Sequence, residues 1–498
     1  MDILVKEYNE VHVKVICDSG IAMELAEHFS FFVPGYKFMQ KFKIGMWDGR
    51  IRIFNSKNYT IYKGLLHYLV DFAKARDYTI DIQDNLDVEK EFSVHEAKQF
   101  IETLYQTEKL DRKFIPRDYQ LNALIQSVQK KRRLVLSPTG SGKSLIIYLL
   151  TMMYGGRKLI IVPTISLVLQ MTKDFKEYSI SSMEDKILGI TGTTDKEWKK
   201  TIRESVVIST WQSIAKMPPD FFNSFNVIIG DEAHLFTAQS LCGILEKAKN
   251  VKYRFGFTGT LDGAKANQLV LEGLFGKVYS TITTKELMNR QELAELNIKL
   301  LMLKYSIDIC KMVKSLTYDK EMKFITSYAP RNEFIKNLTV SLSGNTLLLF
   351  QYVDSHGKIL YDLIKSAVSA KRKVFFVFGG TKGEQRDSVR TLVETETDAI
   401  IIASSGVFST GINIKNLHNI IFTSPSKSKI RNLQSIGRGL RVSDTKTTCT
   451  LFDIGDDFEY NGKMNYTMRH MLERVKYYNQ ENFDYKIYKI DMEKQNER

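Results

Sequence analysis

The segment SPTGSGKS, residues 137–144, constrains the fold of this chain more than any other stretch. It follows a β-rich run and precedes an apolar run with helical spacing, so we expect it to join a strand to a helix. In that context its glycines let backbone N–H groups converge on phosphate oxygens, and the helix N-terminus adds positive potential. Lys143 can reach the β and γ phosphates, and Ser144 can offer a hydroxyl to Mg²⁺. The predicted phosphate contacts are Thr139, Gly140, Ser141, Gly142, Lys143 and Ser144.

A second segment, VIIGDEAH, runs from an apolar strand directly into two carboxylates, Asp231 and Glu232. Paired carboxylates at the end of a buried strand are costly to desolvate unless a cation or a proton is handled there. We expect Asp231 to hold Mg²⁺ through its water shell and Glu232 to orient and deprotonate the attacking water. An exposed acidic turn is the alternative. With the phosphate loop, the pair predicts hydrolysis of a nucleoside triphosphate.

The chain has 498 residues, which is long enough for two or three domains. From about Arg133 to Thr260, β-rich runs alternate with helical patterns, and the alternation restarts at NTLLLFQYV. We expect an α/β protein with two tandem parallel-sheet lobes, preceded by a small α+β N-terminal domain. The predicted boundaries are 1–110 for the N-terminal domain, 111–290 for the first lobe, 291–455 for the second and 456–498 for a helical appendix, either packed or frayed.

The excess of Lys+Arg (71) over Asp+Glu (57) leaves a net charge of +14, which favours a polyanionic partner, although a merely soluble basic surface would look the same. The four cysteines lie far apart without a CxxC pair, so neither a zinc site nor a disulfide framework is suggested. The first residues, MDILVKEYNE, lack the pattern of a signal peptide, and the longest apolar run is too short to span a membrane. We expect a cytoplasmic protein, in the bacterial host if the chain is of phage origin.

DEAH together with PTGSGKS resembles the superfamily 2 helicases, and the remaining motifs of that family stand in order between residues 117 and 441. The resemblance implies two RecA-like lobes and nucleotide contacts by Gln120 of PRDYQ, His234 of DEAH and Gln434 of QSIGRGLR, with Tyr119 or Arg117 beside the base. It also implies that Thr258, Gly259 and Thr260 link the nucleotide site to the bound strand. The implied nucleic-acid contacts are Pro163, Thr164, Thr210, Gln212, Thr410, Gly411 and Asn413.

The arginine motif is similar to the family pattern at Arg438 and Arg441, although Ser435 stands where an arginine is common. These arginines and Lys143 belong to different predicted lobes, so the lobes must close if all three act on one γ-phosphate. An arginine finger contributes roughly 10³–10⁵ in rate. Hydrolysis removes contacts that favour closure, which changes the spacing between two strand-holding surfaces. The expected output is translocation along nucleic acid.

Two basic stretches outside these motifs are candidates for contacts with the nucleic-acid backbone. Lys427, Lys429 and Arg431 precede the arginine motif without a neighbouring acid, and could bind the backbone or merely solvate a loop. The stretch from 36 to 63 carries seven basic residues, with Lys41, Lys43, Arg50 and Arg52 as the predicted contacts, interleaved with aromatic residues that could stack bases or form a core. The N-terminal domain is thus expected either to contact DNA or to serve as a structural lid.

The layout, with FKIGMWDGR ahead of the motor, resembles phage recombination helicases within superfamily 2. That resemblance implies an ATP- and Mg²⁺-dependent DNA helicase that acts on forks, junctions and RNA–DNA loops in recombination, repair and replication restart. Recombination or single-strand-binding proteins would be natural partners. Two alternatives stay open: a translocase that moves on duplex DNA without separating it, and an ATP-gated clamp or annealing factor. The Asp231–Glu232 pair argues against the clamp.

Overall fold

The computed structural model describes residues 1–33, 35–83, 86, 89–181, 186–191, 205–381, 389, 392–411, 414, 416–424, 428–440 and 446–493; the side chains of 409–411 and 431 are excluded. These residues form two compact units, one of residues 1–137 and 141–281 and one that includes 282–498. The expected fold class is confirmed: a small mixed domain precedes two parallel sheets of seven strands each. Among the residues described, no helix has the length and apolarity that crossing a membrane requires.

The N-terminal domain is built on a four-stranded sheet in the order β5-β2-β1-β6, with a separate β3–β4 hairpin. Strand β1 runs antiparallel to β2 and parallel to β6. Alternate residues of β1 and β2, such as Val5, Val13 and Val15, are fully buried, as expected of a sheet that covers a core with one face. The elements are β1 Ile3–Glu7, β2 His12–Ile16, α1 Ser19–His28, β3 Ser30–Phe32, α2 Gln40–Lys43, β4 Arg50–Arg52, β5 Thr60–Tyr62, α3 Leu66–Lys74, β6 Ile80–Ile82 and α4 Val94–Gln106.

The first lobe has an all-parallel sheet in the order β13-β7-β12-β11-β8-β10-β9. Strands β8, β10 and β11 are buried along their whole length, since helices cover both faces of a parallel sheet. The elements are α5 Asp118–Gln129, β7 Arg132–Leu136, α6 Lys143–Met153, β8 Lys158–Val162, α7 Ile165–Tyr178, β9 Ile187–Ile190, β10 Val206–Thr210, α8 Trp211–Ile214, α9 Pro219–Asn223, β11 Val227–Asp231, α10 Gln239–Lys247, β12 Tyr253–Thr258, α11 Lys265–Phe275 and β13 Val278–Ser280.

The N-terminal domain and the first lobe share one hydrophobic core. Leu65, Leu69 and Phe72 of the domain belong to the same buried cluster as Leu269 and Phe275 of α11. The backbones also approach closely, because a side chain on Gly64 would overlap carbonyl oxygens of α11. The Tyr62 hydroxyl donates to Glu246 at 2.6 Å across the same boundary. Residues 1–137 and 141–281 therefore form one compact unit.

The second lobe has a parallel sheet in the order β16-β17-β15-β18-β19-β14-β20. Its elements are α12 Thr284–Asn289, β14 Glu295–Lys304, α13 Ile307–Val313, α14 Tyr318–Ser327, α15 Ala329–Ser341, β15 Thr346–Phe350, α16 Lys358–Ala367, β16 Val374–Val377, β17 Ile400–Ser404, α17 Ser405–Gly411, β18 Asn419–Phe422, α18 Lys429–Gly439, β19 Thr448–Asp457, α19 Tyr466–Gln480 and β20 Tyr485–Asp491.

The structure differs from the helical appendix expected at 456–498. Among the described residues of that segment, 456–493, only α19 is an α-helix. Strand β20 joins the second sheet, where Ile298 to Lys304 of β14 pair in parallel with Tyr485 to Asp491. Buried ion pairs fix α19, since Arg474 and Asp453 are both fully buried and lie 2.9 Å apart. The segment is thus part of the second lobe. The strand YKIYKID repeats Tyr-Lys-Ile and is mostly exposed, so it lacks the apolar run that marks a buried strand.

The buried pair predicts a large stability effect. In Arg474→Ala, Asp453 loses the guanidinium that binds it, and an unpaired buried charge costs about 3–5 kcal/mol. We expect urea unfolding to show that the free energy of unfolding of the second lobe falls by that amount, with a lower midpoint. Lys476→Ala on the same helix removes an exposed ion pair with Glu473 and should leave the transition nearly unchanged. Equal midpoints for both variants would contradict a structural role for the pair.

Candidate active site

The phosphate loop joins β7 to α6, as the sequence predicts. Gly140 and Gly142 have φ of +88° and +77°, a left-handed conformation that favours glycine. A side chain on Gly142 would also overlap the Gln120 amide nitrogen. Lys143 begins α6 and its ammonium donates to the Ser137 carbonyl oxygen at 3.2 Å. The loop therefore presents Lys143 and the start of a helix toward the same space.

Hydroxyl groups brace this loop from inside. Ser137 and Ser141 are fully buried, and their Oγ atoms lie 2.6 Å apart. The Thr281 hydroxyl donates to Ser137 Oγ at 3.1 Å. Ser137, which replaces the glycine or alanine usual at that position in the family pattern, thus ties the loop to the strand beside it.

Gln120 holds the loop from the adjacent helix. Its amide nitrogen donates to the Ser141 carbonyl oxygen at 2.8 Å, and its amide oxygen accepts from the Arg117 backbone N–H at 2.9 Å. The Tyr119 hydroxyl donates to the same carbonyl at 3.2 Å and accepts from Arg117 Nη1 at 3.0 Å. The predicted adenine motif is therefore hydrogen-bonded to the phosphate loop through the Ser141 carbonyl oxygen. Its contact with the base stays a prediction.

Ser144 has a partner that sequence analysis missed. Its hydroxyl lies 2.7 Å from the hydroxyl of Tyr178, at the end of α7. Burial raises the pKa of the Tyr178 phenol to about 12, so the phenol keeps its proton and can donate to Ser144 Oγ. Tyr178 is 34 residues from Ser144 in sequence. Only the fold reveals this pair, because no local pattern connects the two.

Asp231 and Glu232 stand at the carboxyl end of β11. Asp231 is 7% exposed, and its Oδ1 accepts a hydrogen bond from no described residue. Burial, followed by the nearby charge of Glu232, raises the pKa of Asp231 to about 6, while Lys143 opposes that shift. A nearby cation would relieve this cost. Glu232 has a φ of +50°, a strained conformation for a residue with a side chain, which turns the chain sharply out of the strand.

His234 connects the carboxylates to β12. Its Nδ1 lies 2.9 Å from Thr258 Oγ1 and 3.5 Å from Glu232 Oε2. The Thr258 hydroxyl donates to the Thr260 carbonyl oxygen at 3.0 Å, so the hydroxyl accepts from His234, whose Nδ1 must then carry the proton. Burial lowers the pKa of His234, although Glu232 raises it, so the ring is neutral near pH 7.

The predicted nucleic-acid contacts of the first lobe follow neighbouring strands at the same edge of the sheet. Thr210 pairs with Val162 at the ends of β10 and β8, which places Thr210 beside Pro163 and Thr164. Thr164 caps α7 by accepting from the Leu167 N–H at 3.3 Å. Thr210 is 4% exposed and its hydroxyl lies 2.8 Å from Ser213 Oγ, whereas Gln212 is exposed. The Gln212 side chain is thus more accessible to a bound strand than that of Thr210.

In the second lobe, α18 carries Gln434 and Arg438, and the Arg438 guanidinium carbon lies 5.8 Å from the centre of the Phe408 ring. The surroundings of Lys429 differ from the sequence interpretation, which found no acid near this residue. Its ammonium donates to Gln480 Oε1 at 3.1 Å and lies 3.9 Å from Glu481 Oε1, because α19 ends beside the start of α18. It is therefore bound within the lobe, and its contact with a nucleic-acid backbone stays a prediction. Thr410 and Gly411 lie in α17, with undescribed side chains, and Asn413, Lys427 and Arg441 are outside the described residues.

In the N-terminal domain, the four predicted cations divide into two kinds. Lys41 and Lys43 on α2 are exposed and make no ion pair with any described residue. Arg50 lies 2.8 Å from Glu27, and Arg52 pairs with Asp48. Lys63, part of the same basic run, is 6% exposed and binds Glu7 and Glu10 at 3.1 Å, so it supports the fold.

Comparison with known proteins agrees with this arrangement. Three family models match the chain: "DNA helicase UvsW, N-terminal" over residues 2–83, "Type III restriction enzyme, res subunit" over 113–263 and "Helicase conserved C-terminal domain" over 329–443. The ATP-dependent DNA helicase uvsW of Enterobacteria phage T4 is 35% identical over 99% of this chain and 100% of its own length. The chain belongs to the UvsW family of superfamily 2 helicases.

Solved structures agree with this assignment. The crystal structure of T4 UvsW matches 99% of this chain and 100% of its own, with 34% identity and a TM-score of 0.52. The type ISP restriction-modification enzyme LlaBIII, bound to DNA, shares the fold alone, with 16% identity and a TM-score of 0.56 over 76% of this chain and 32% of its own. The predicted resemblance to superfamily 2 is confirmed. As a member of the UvsW family, the protein is an ATP-hydrolysing helicase.

Proposed function

We propose that this UvsW-family helicase uses ATP and Mg²⁺ to move on DNA and remodel branched molecules: forks, junctions and RNA–DNA loops. Its place would be recombination, repair and replication restart in the cytoplasm of a bacterial host. The observation that carries the proposal is the contact of Glu232 with His234 at 3.5 Å, together with the hydrogen bonds from His234 to Thr258 and from Thr258 to Thr260. These residues follow β11 and end β12, at the same carboxyl edge of the sheet where Pro163 and Thr164 follow β8 and Gln212 follows β10.

The chemistry follows from the positions of Lys143, Asp231 and Glu232. Lys143 would neutralise charge on the β and γ phosphates, and Glu232 would take a proton from the attacking water. His234 holds Glu232 and stays neutral, so it does not compete for that proton. The positive φ at Glu232 turns the chain out of β11 directly after Asp231.

We propose that Mg²⁺ binds between the start of α6 and the carboxyl end of β11, held by Ser144 and Asp231. Asp231 offers a buried oxygen without a hydrogen-bond partner, and Ser144 offers a hydroxyl positioned by Tyr178. Carboxylate and hydroxyl oxygens are the donors that Mg²⁺ prefers, usually with water retained between ion and carboxylate. When bound, the ion would neutralise phosphate charge. We propose that Arg438 and Arg441 complete that neutralisation from the second lobe.

The tip of the N-terminal domain supports a role in branch recognition. Phe38, Ile44 and Met46 are 82%, 58% and 76% exposed, and Lys41 and Lys43 stand among them. Cations beside exposed apolar side chains can bind a backbone while contacting unstacked bases. We propose that this tip meets DNA where strands separate.

The ATPase rate, titrated separately with single-stranded, duplex, forked and junction DNA and with RNA, tests the proposal. We expect the largest stimulation with forked or junction DNA. Strand displacement that requires ATP supports a helicase, whereas triplex displacement without strand displacement would indicate a duplex translocase. Tight binding without stimulation would indicate a clamp and contradict the proposal.

A paired substitution tests the tip. Lys41→Ala with Lys43→Ala should weaken junction binding roughly tenfold and reduce the salt dependence of log K by about 2, while ATP turnover at saturating DNA is retained. The control, Lys320→Ala with Lys323→Ala, removes two exposed lysines from α14 of the second lobe. An equal loss of affinity in both variants would leave the tip without a specific role.

A further inference from the structure

A basic cleft lies where the N-terminal domain meets the first lobe. Its cationic lining residues are Lys63, Lys130, Lys131, Arg132, Arg133 and Lys277. The cleft holds about 110 Å³ of space open to water-sized molecules, and no carboxylate is among the residues that line it. The cleft is separate from the phosphate loop. Arg132 begins β7 and the loop follows its end, so five residues of extended strand, roughly 15 Å, separate them.

Among the described residues, the acids around the cleft are fewer than its cations. Glu10 binds Lys63 at 3.1 Å and Arg132 at 2.6 Å, and Glu7 also binds Lys63 at 3.1 Å. Glu89 pairs with Lys130 at 2.5 Å. Glu272 lies 3.3 Å from His67 at the rim. Lys131 and Lys277 are exposed and pair with no described acid, so the described part of the cleft carries more cations than acids.

Arg132 is a largely buried cation that lines this cleft. Its side chain is 9% exposed, and its Nη1 is buried without a hydrogen-bond partner. Behind it lies Arg254, fully buried, whose guanidinium donates to the carbonyl oxygens of Val251 at 3.2 Å, Leu245 at 3.0 Å and Ala248. Burial, and then the charge of Arg132, lowers the pKa of Arg254 well below its usual value. Glu10 binds Arg132 directly and Glu7 acts on it from a greater distance, whereas Arg254 is compensated mainly by the three carbonyl oxygens.

We propose that this cleft binds a phosphate group, as a second anion site at the opposite edge of the sheet from the ATP site. A guanidinium with a spare N–H and two unpaired ammonium groups is the donor set that recognises phosphate. The phosphate belongs either to the backbone of a DNA arm that passes the rear of the first lobe or to a small free anion. Binding would satisfy Arg132 Nη1 and offset the excess charge.

The test uses the full chain with its ATP site filled by a non-hydrolysable ATP analogue. The variant Lys131→Gln with Lys277→Gln is compared with the parent and with a control, Lys6→Gln with Lys98→Gln. The control removes two exposed lysines of the same unit that pair with no described acid. Calorimetry with inorganic pyrophosphate measures the free anion, and binding of a four-way DNA junction at fixed salt measures the backbone. Basal ATP turnover should be equal in all three proteins.

We expect the cleft variant to lose at least about fivefold in affinity for an anion, while the control stays within about twofold. Loss of junction affinity identifies backbone phosphate, and loss of pyrophosphate affinity alone identifies a free anion. Parent-like affinity of the cleft variant for both probes would overturn the proposal. A loss of equal size in the control would overturn it too, because the effect would then follow net charge and not the cleft.

Discussion

Lys143→Ala should lower ATP turnover at least about 10³-fold, because the variant removes the cation that is placed to stabilise charge on the transferred phosphate. The Lys143 ammonium is held at the loop by the Ser137 carbonyl oxygen, so the group is in position before the nucleotide arrives. Steady-state hydrolysis at saturating ATP and junction DNA measures the loss.

DNA affinity separates this effect from unfolding. It should stay within a few-fold of the parent, since Lys143 faces the nucleotide. Lys173→Ala, an exposed lysine on α7, serves as the control and should hydrolyse ATP at the parental rate. Turnover by Lys143→Ala comparable to that of the parent would refute the assignment of the loop.

Glu232→Gln should bind ATP but hydrolyse it about 10²–10⁴-fold more slowly, the usual contribution of a general base. The amide has the size of the carboxylate, so the backbone turn at +50° and the approach to His234 are kept. A nucleotide-binding assay with labelled ATP, beside single-turnover hydrolysis, separates binding from chemistry.

The control for this variant is Glu91→Gln, which alters an exposed acid far along the chain from β11. It should behave as the parent does. Hydrolysis by Glu232→Gln at the parental rate would remove Glu232 from its role. Loss of ATP binding in the same variant would instead assign the carboxylate to nucleotide retention.

The sequence predicts the motor well, because each motif combines a local pattern with a local geometry. Gly140 and Gly142 have the positive φ that a phosphate loop requires, and Asp231 and Glu232 do end a buried strand. The two parallel sheets follow from alternating strand and helix patterns. These features depend on residues close together in the chain.

The features that sequence analysis missed depend on contacts between distant segments. Tyr178 reaches Ser144 only because α7 packs beside α6, and Glu481 reaches Lys429 only because α19 ends near α18. Lys63 reads as a surface cation in a basic run, yet it is buried between Glu7 and Glu10. Strand β20 is half polar, so its pattern alone does not place it in a sheet.

The position of β20 has a consequence for how the polypeptide is made. All strands of the first sheet come from residues before 282, so that lobe and its N-terminal domain can fold while the ribosome is still translating the second. The second sheet must wait, because β14 emerges early and its outer neighbour β20 is synthesised after every other strand. Until then the nascent chain offers an unpaired hydrophobic edge, which invites aggregation or chaperone capture.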